Sequence, residues 1–474
     1  MKYQSNDVAL KELLEVFENS NDVIISENKE LNFIIIFQEH MTDIMTFNND
    51  LLPQLRKNKD KNVDEVLTGL ARKIDINEKD PYQIIFQGLM LYYQNKQFYI
   101  LDISKVLRRS TGDSNVEPIN IVGARDGFTE NFKDNISLLR TRIKNAELNI
   151  EEYMVGRRSK TWVGLLSIKD IHNEEKRRLL IKKLNEIDID ALITVSDIIP
   201  WLTKRTIFPV CNYIGVPDLA ATKLLDGEFL ILIDRIPLAI ATPTSFYDLV
   251  EERVDFNENT PIRFLHRLLI LFCFFLSTVF LGLLLSFLTY QKDLLSLPLI
   301  STLQVTQKGA IFPIAAEILF VLFLFELYHF ITFRSSEKTL GSTIVLIAGL
   351  IIGQNIIESG LVGVVVITAT ALAFMSGFVV SNNLHFQFGL SIIRIIFIVA
   401  SFFFGLYGVS LAMIIISIYF MKQSFLGEHF FYPFIPFDYE GFKQFFTARN
   451  KRKKRNLSLD VKNFRRMNND KKNN

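Results

Sequence analysis

The chain has 474 residues, with 53 Lys and Arg against 51 Asp and Glu, and 49% of its residues are hydrophobic. Domains usually contain roughly 100–200 residues, so this length allows two or three of them. The charged fraction of 22% is close to the globular norm of about 25%, which excludes a wholly disordered chain. The mean hydropathy of +0.22 indicates more apolar residues than one soluble core requires.

Positive charge is concentrated at the C-terminal end. Residues 443–474 carry 12 Lys and Arg against 2 Asp, a net charge of +10, so the rest of the chain carries −8. A basic segment beside membrane spans is typical of a cytosolic flank that touches anionic lipid. Nucleic-acid binding is the alternative for such a segment, and we predict no nucleic-acid partner.

The cysteines and the N-terminus indicate the compartment. Cys211 and Cys273 are far apart, which argues against a disulfide framework and against a Cys-based metal site. The first 17 residues contain no basic stretch followed by an apolar run, so they do not resemble a secretory signal peptide. We therefore expect the soluble part of the chain to be cytosolic.

Residues 1–260 have the pattern of a soluble α/β region. The β-branched and aromatic run at 31–38 predicts a strand, and the leucines after it predict a helix that ends among charged residues. Residues 81–94 have a helical pattern, and the turn at 95–96 leads to a predicted strand at 97–103.

The same order of elements then recurs. Residues 160–171 predict a strand, residues 173–187 an amphipathic helix, and residues 216–234 a helix, a turn and a strand. Phe98 and Phe229 lie at matching positions 131 residues apart, which favours two related lobes over chance similarity. The predicted lobes are residues 1–115 and 116–260, with their boundary near the polar stretch 108–118.

Hydrophobic runs bounded by charge begin at residue 264. The 24 residues between Arg267 and Lys292 carry no formal charge, and a transmembrane helix needs about 20 such residues. The pattern predicts an α-helical multi-span membrane domain at 261–424, with about four to six spans, and a basic cytosolic tail at 425–474. The predicted spans are 264–290, 311–333, 340–357, 359–380 and a pair within 388–421 that the sequence GLYG (405–408) divides into a hairpin.

The charged flanks predict the orientation. Arg263 and Arg267 precede the first span, Arg334 follows the second, and the basic tail follows the last. All three lie on the cytosolic side if the number of crossings is even. Six short spans meet this condition, and so do four if residues 388–421 enter the membrane without crossing it. Both termini are therefore predicted to be cytosolic.

Motifs of common catalytic sites are missing from the sequence. It contains no GxxxxGK[ST], no GxGxxG after a strand, no HExxH and no GxSxG. The segment Gly123–Gly127 reads as a tight turn that displays Arg125 and Asp126. We therefore predict no enzymatic activity, no cofactor and no metal.

Polar residues inside the predicted spans are the candidate functional residues, because such groups are costly in a membrane and usually face a cavity or the bundle interior. In the second span, Glu326 and His329 share a helix face, whereas Glu317 lies about 180° away from Glu326. One acid can thus line a pore while the other holds a neighbouring helix.

Three further polar residues lie in the later spans. Gln354 and Glu358 share a face at the end of the third span, and Arg394 is a lone cation that a carboxylate partner would stabilise. A ring of acids along a cation path in an oligomer is one interpretation of the set. Interhelical salt bridges and snorkelling near span ends are the other.

Small residues recur every four positions in two spans. Gly349 and Gly353 lie in the third span, and Ala369, Ala373 and Gly377 lie in the fourth. Such stripes allow helices to approach closely. They favour either oligomerisation or close packing within one chain.

Five segments match a known family: EPINIVGARDGFTENFKDNISLLRTRIK (117–144), VGRRSKTWVGLLSIKDI (155–171), GVPDLAATKLLDGEFLILIDRIPLAIATP (215–243), GLIIGQNIIESGL (349–361) and YPFIPF (432–437). They resemble the A subunits of the GerA family of spore germination proteins. The resemblance covers about residues 30–440, and the ARDGF (124–128) and PFIPF (433–437) forms are more similar to the stage V sporulation protein AF branch than to germinant-receptor A subunits.

The resemblance implies a multi-pass protein of the spore inner membrane. A family A subunit has two cytosolic α/β subdomains and a multi-span domain, and it is thought to form a homo-oligomeric ion channel. In germinant receptors it works with a transporter-like B subunit and a lipoprotein C subunit, whereas the AF branch is thought to support ion release.

This sequence departs from the family pattern where a pore would be lined. Leu322 stands where receptor-type subunits often carry an acid, and His329-Phe330 stand where they often carry Arg-Glu. Many relatives have Pro at the position of Ala124, and the usual Pro-Ser is missing near residues 380–382. The changes in the second span remove charge.

We therefore expect a channel-forming membrane subunit that releases ions during germination. The alternatives are a nonconducting scaffold or signal-transmitting subunit of a germinant receptor and, from a third class, a membrane enzyme.

Overall fold

The computed structural model describes most of the chain up to residue 446. Within 335–359, which holds most of the predicted third span, only Gln354 and Glu358 are described. The predicted lobe boundary at 108–118, the Gly349/Gly353 pair and the basic residues 447–474 lie outside the described residues. The described residues are 6–17, 22–58, 66, 71–76, 81–105, 126–203, 206–209, 211–250, 260–292, 312–334, 354, 358, 360–381 and 383–446.

The N-terminal lobe is an antiparallel sheet with helices on both faces. In chain order its main elements are α1 (Asn6–Phe17), β1 (Val23–Asn28), β2 (Phe33–Gln38), α2 (Leu52–Lys57, after helical turns at Ile44–Thr46 and Phe47–Leu51), β3 (Ala71–Ile74), α3 (Pro81–Ile85), β4 (Met90–Gln94) and β5 (Gln97–Leu101). The strand order is β1-β2-β4-β5-β3. α1 and α3 cover one face around Phe98, and the helical segment ending in α2 covers the other around Tyr92. Because both faces are buried, β2 is an unbroken apolar run instead of an alternating one.

The predicted helix at 81–94 is wrong beyond its first turn. The helix ends at Ile85, and residues 90–94 form strand β4. Gly88 has φ +84°, a left-handed conformation that ends the helical stretch. Asn95 and Lys96 also have positive φ values and form the tight turn of a β4–β5 hairpin, whose cross-strand pairs stabilise β4.

The second lobe repeats this architecture. Its elements are α4 (Phe132–Arg142), β6 (Leu148–Val155), β7 (Thr161–Ile168), α5 (Glu174–Asn185), α6 (Val195–Leu202), β8 (Asn212–Ile214), α7 (Pro217–Asp226), β9 (Phe229–Ile233) and β10 (Ala239–Thr242). The strand order is β6-β7-β9-β10-β8, which is the order of the first sheet. α4 and α7 cover one face, and α5 and α6 cover the other. The N-terminal region thus consists of two α/β lobes of the same topology.

The sheet positions change the expected correspondence between the lobes. β9, which contains Phe229, occupies the position of β4, whereas Phe98 lies on β5. The two phenylalanines are therefore not equivalent. The β4–β5 and β9–β10 hairpins both have apolar strands of similar length. Matching residue types alone therefore aligned Phe98 on β5 with a strand that corresponds to β4.

Apolar helices follow the second lobe. They are α8 (Phe246–Val250), α9 (Thr260–Thr278), α10 (Phe280–Thr289), α11 (Ile314–Arg334), α12 (Val364–Val380) and α13 (Leu384–Lys422). Among the described residues, three helices are long and apolar enough to cross a membrane, at Pro261–Thr278, Ile314–Ile331 and His385–Lys422, and α10 and α12 are shorter apolar helices. The helical membrane domain of the expected fold class is present.

Helix α13 folds back on itself at Gly405, as the GLYG sequence predicts. Gly405 has φ +57° and ψ −136°, which are not helical values. A Cβ on Gly408 would lie 2.0 Å from the carbonyl oxygen of Ala400. In a straight helix, residues eight positions apart are separated by about 12 Å along the axis, so this proximity requires a hairpin of two arms.

The chain returns to the second lobe after this hairpin. Strands β11 (Ser424–Phe425) and β12 (Glu428–His429) form a small hairpin, and helix α14 (Tyr439–Phe446) follows. Phe425 and Leu426 are buried in the same core as α5 and α6. Lys176 on α5 forms an ion pair with Glu428.

Candidate functional site

Glu326 lies at a contact between α11 and α13. The hydroxyl of Ser391 on α13 donates a hydrogen bond to its carboxylate. Arg394 Nη1 lies 4.0 Å from Glu326 Oε1, and His329 Nδ1 lies 3.9 Å from Oε2. The Glu326 side chain is 26% exposed, so one acid combines an arginine and a histidine neighbour with access to the surroundings.

Arg394 connects this acid to two other helices. Its Nε and Nη2 donate to the carbonyl and the hydroxyl of Ser277 on α9 at 2.6 and 2.9 Å. A longer bond of 3.4 Å from Nη2 reaches the carbonyl of Ala373 on α12. The side chain is buried, and the structure thus gives Arg394 the carboxylate neighbour that its position in the sequence predicts.

A small pocket opens beside these groups. Polar side chains from α11 and α13 form one part of its wall and aromatic rings from α12 form another. Its lining residues are His329, Phe374, Gly377, Phe378, Gln387, Leu390, Ser391 and Arg394. Gln387, Ser391 and Arg394 are spaced i, i+4 and i+7, so they share one face of α13. This spacing is the sequence signal that could have identified Gln387 and Ser391.

Glu317 belongs to a different contact. It is buried, and its carboxylate accepts a hydrogen bond of 3.0 Å from the amide of Gly363, the N-cap of α12. A carboxylate at this position stabilises the positive end of the helix dipole. Glu317 therefore holds a neighbouring helix instead of snorkelling, and Glu317 and Glu326 face different helices, as their spacing predicts.

The remaining predicted residues do not join the cluster. Gln354 and Glu358 are exposed at helical positions. In the stripe of small residues, Ala373 is fully buried, and a Cβ on Gly377 would lie 3.2 Å from Ser277 Oγ. This part of the stripe packs within the chain, against α9 and α13.

A family profile covers nearly the whole chain. The profile described as "Bacillus/Clostridium GerA spore germination protein" matches residues 11–457. This chain belongs to the GerA family. The family resemblance carried by the five sequence segments is thereby confirmed.

The GerA relatives come from both branches considered above. "Spore germination protein XA" of Bacillus anthracis is 30% identical and the match covers 89% of each chain. "Stage V sporulation protein AF" of Bacillus subtilis (strain 168) is 27% identical, over 84% of this chain and 77% of that protein. The branch stays a prediction. A crystal structure of the N-terminal domain of the A subunit of the Bacillus megaterium spore germinant receptor GerK3 matches 50% of this chain and 95% of that chain, with 23% identity and a TM-score of 0.37.

The ARDGF segment of this GerA protein has a structural role at its aspartate. Arg142 donates to both carboxylate oxygens of Asp126 at 2.7 and 2.8 Å and also pairs with Asp218 on α7. Phe128 is buried in the core beneath α4 and α7. Asp126 is therefore held by Arg142 at the end of α4, beside α7, instead of being displayed on a turn. Arg125 lies outside the described residues.

Buried charges also lie where the second lobe meets the membrane helices of this GerA protein. Lys223 on α7 contacts Asp248 on α8 at 2.5 Å and Glu228 at 3.0 Å. Ser245 donates its backbone N–H and its hydroxyl to Asp248 at 3.0 and 2.6 Å. Burial raises the pKa of Asp248, but the Lys223 charge and these hydrogen bonds outweigh it and hold the pKa below its ordinary value.

The arginines at the start of the first span contact other helices of this protein. Arg263 and Arg267 are buried, with exposures of 1% and 0%. Arg263 donates to the hydroxyl of Tyr247 at 3.0 Å, and Arg267 lies 5.1 Å from the centre of the Phe445 ring. Their charge therefore serves to join α8, α9 and α14.

Proposed function

We propose that this GerA protein is an oligomeric ion channel that releases ions during spore germination. The observation that carries the proposal is the cluster of Glu326, His329, Ser391 and Arg394 beside a pocket between apolar helices. Charged groups inside a membrane usually mark an ion path or a buried pair. The partial exposure of Glu326 favours the path, because an ion must be able to reach the carboxylate.

The proposed setting is the spore inner membrane. The names of the relatives as germination and sporulation proteins support this location and a non-enzymatic role. A homo-oligomer would supply several copies of Glu326 around one axis, which a single chain cannot. Transporter-like B subunits and lipoprotein C subunits are the proposed partners if the chain belongs to the receptor branch.

Both termini are proposed to be cytosolic. The amide of Phe246, just before the first span, donates to the carbonyl of Phe430, which follows the last one, at 2.7 Å. Entry and exit points of the membrane domain thus lie together beside the second lobe, which supports an even number of crossings. Cysteine labelling of the tail from outside intact cells would contradict this topology.

Signal transmission by the lobes is the second candidate function, and one contact favours it. Phe208 of the second lobe contacts both arms of the α13 hairpin near their base. A Cβ on Gly389, in the first arm, would lie 2.7 Å from the Phe208 ring. The ring of Phe420, in the second arm, has its centre 5.5 Å from that of Phe208. The hydroxyl of Tyr419 accepts a hydrogen bond of 3.0 Å from the amide of Ile207. A movement of this lobe would therefore reach both arms of the hairpin.

The Glu326→Gln variant tests the channel proposal. Glutamine keeps the shape and can still accept the Ser391 hydrogen bond. Arg394 makes no hydrogen bond to Glu326 at 4.0 Å and keeps its own bonds to Ser277 and Ala373, so assembly and melting temperature should stay nearly unchanged. Loss of the charge should lower potassium flux through purified protein in liposomes about tenfold, the effect of about 1.4 kcal/mol on an ion in the path. Glu317→Gln is the matched control, because it removes an acid of the same helix that contacts α12 instead of the Arg394 cluster, and it should leave flux unaffected.

The Arg394→Gln variant separates a structural role from conduction. It removes three interhelical hydrogen bonds, each worth roughly 0.6–1 kcal/mol in a membrane, so it should destabilise the protein by about 2–3 kcal/mol. If Glu326→Gln also destabilises the protein and Arg394→Gln partly rescues it, the pair is structural. Absence of any flux through the unsubstituted protein would favour the signal-transmitting scaffold.

A further inference from the structure

A continuous row of aromatic rings connects the first membrane helix to the C-terminal helix. Phe264 on α9 contacts Phe446, Phe446 contacts Phe442, and Phe442 contacts Phe437, with ring centres 5.4, 5.0 and 5.6 Å apart. Phe264 and Phe437 at the two ends are 51% and 67% exposed. Leaving phenylalanine side chains exposed to water costs free energy, because their apolar surface is not buried.

Helix α14 is held beside the start of α9 by its other face. Phe445 is fully buried there, between the ring of Tyr247 and the guanidinium of Arg267. Tyr439, in the first turn of α14, is 69% exposed, and Lys443 is exposed as well. α14 thus presents aromatic and charged groups at its surface while its buried face fixes its position.

The exposed row continues into an exposed apolar surface of α9. Leu265, Leu268 and Phe272 are 63%, 51% and 56% exposed on this apolar helix. Phe264 lies at the N-terminal end of that surface and is also the first ring of the row. The row therefore begins where the apolar surface of the span ends.

We propose that Phe437, Tyr439, Phe442 and Phe446 lie in the interfacial region of the bilayer and anchor α14 to lipid. Aromatic side chains are enriched at this level because their rings are apolar and their edges tolerate water. An amphipathic helix bound in this way inserts its apolar face roughly 5–10 Å into the boundary between headgroups and acyl chains. The anchor sets the depth of α9, and through Phe445 and Arg267 it holds the second lobe at the membrane.

A single-tryptophan experiment tests this placement. Both natural tryptophans, Trp162 and Trp201, lie in the second lobe, so the background variant is Trp162→Phe with Trp201→Phe. Phe437→Trp in this background is reconstituted as the full chain in vesicles of phosphatidylcholine and phosphatidylglycerol. The lipid is brominated either near the headgroup or near the end of the acyl chain.

The expected result is a blue-shifted emission for Phe437→Trp that loses more intensity with the shallow bromine than with the deep one. Ile395→Trp in the same background is the control for depth, because Ile395 is exposed midway along the first arm of the α13 hairpin, and it should lose more intensity with the deep bromine. Trp201 alone, in the Trp162→Phe variant, is the control for water and should lose little with either. A homogeneous gel-filtration peak confirms that each variant folds.

Two results would overturn the proposal. Red-shifted emission from Phe437→Trp without quenching would place the row in water. Blue-shifted emission without quenching by either lipid would mean that a protein surface, such as a second copy of this chain, covers the row.

Discussion

Arg140 and Asp22 join the two lobes through a buried, bidentate ion pair. Arg140 Nε and Nη2 donate to the carboxylate at 2.6 and 2.8 Å, and both side chains have 0% exposure. Arg140 also donates to the carbonyls of Asn145 and Leu148 and lies 4.5 Å from the centre of the Phe86 ring. This contact was not predictable from sequence patterns, because it joins residues 118 positions apart.

Asp22→Asn should therefore destabilise the protein strongly. It leaves the Arg140 charge buried without its counter-charge, which typically costs about 3–5 kcal/mol. Lys133→Gln is the matched control, because it breaks the exposed contact between the lobes, Lys133 to Glu39 at 3.1 Å, and should cost less than about 1 kcal/mol. Chemical unfolding followed by the fluorescence of the two tryptophans measures both. Equal effects would mean that burial of the Arg140 pair contributes nothing.

Asp248 should make the junction between lobe and membrane sensitive to acid. Its pKa in the folded protein lies below the unfolded value of 3.8, so its charge contributes stability above that value and the contribution is lost as pH falls through the folded pKa. Unfolding free energy should thus decrease as the pH is lowered below about 4. Asp248→Asn should flatten this part of the pH profile, and an unchanged profile in this variant would assign the acid sensitivity to other groups.

The α13 hairpin shows how one glycine defines an element. Gly405 has φ +57°, a backbone conformation that residues with a side chain rarely adopt. A Cβ there would lie 3.0 Å from the ring of Tyr290. The break was predictable from GLYG in an otherwise apolar run. Its direction was not, because only the contact between Ala400 and Gly408 shows that the arms fold back on each other.

Gly405→Ala should destabilise the membrane domain more than Gly427→Ala. Both glycines have positive φ values, +57° and +81°, so each substitution costs about 1–3 kcal/mol of backbone strain. A Cβ on Gly427 meets nothing within 4 Å, whereas one on Gly405 also presses on Tyr290. Melting temperature in detergent measures the difference, and equal shifts would show that the Tyr290 ring moves away freely.

Duplication organises the N-terminal half of the molecule. Each lobe runs α-β-β-α-β-α-β-β with one strand order, and the second adds α6. The two lobes differ in what completes their cores, because Phe425 and Leu426 from beyond the membrane domain pack with α5 and α6 of the second lobe. A fragment that ends near residue 250 therefore lacks part of the core of its second lobe.

A fragment of residues 1–250 should fold with two sheets but with a weakened second lobe. Phe425 and Leu426 are 8% and 9% exposed, and burial of two such side chains is worth roughly 3 kcal/mol or more. A synthetic peptide of residues 421–431 added to the fragment should raise its urea midpoint. The same peptide with Phe425→Ser and Leu426→Ser should not, and an equal midpoint with both peptides would show that this core contact contributes nothing.

Local patterns were enough for the main features of this protein. Uninterrupted apolar runs indicated the membrane domain, and alternating strand and helix signals indicated the α/β lobes. Segments such as those that contain ARDGF (124–128) and PFIPF (433–437) indicated the family. Each of these signals depends only on neighbours in sequence. The spacing of Glu317 and Glu326 likewise predicted two separate faces of one helix.

Only the tertiary structure decided which groups meet. Glu326 faces Ser391 and Arg394, Arg140 pairs with Asp22, and Phe425 enters the core of the second lobe. Each contact joins residues more than 60 positions apart, and its energy depends on burial and on the exact distance between the groups. Periodicity assigns a residue to a face of its own element, but the partner of that face is set by how the elements pack.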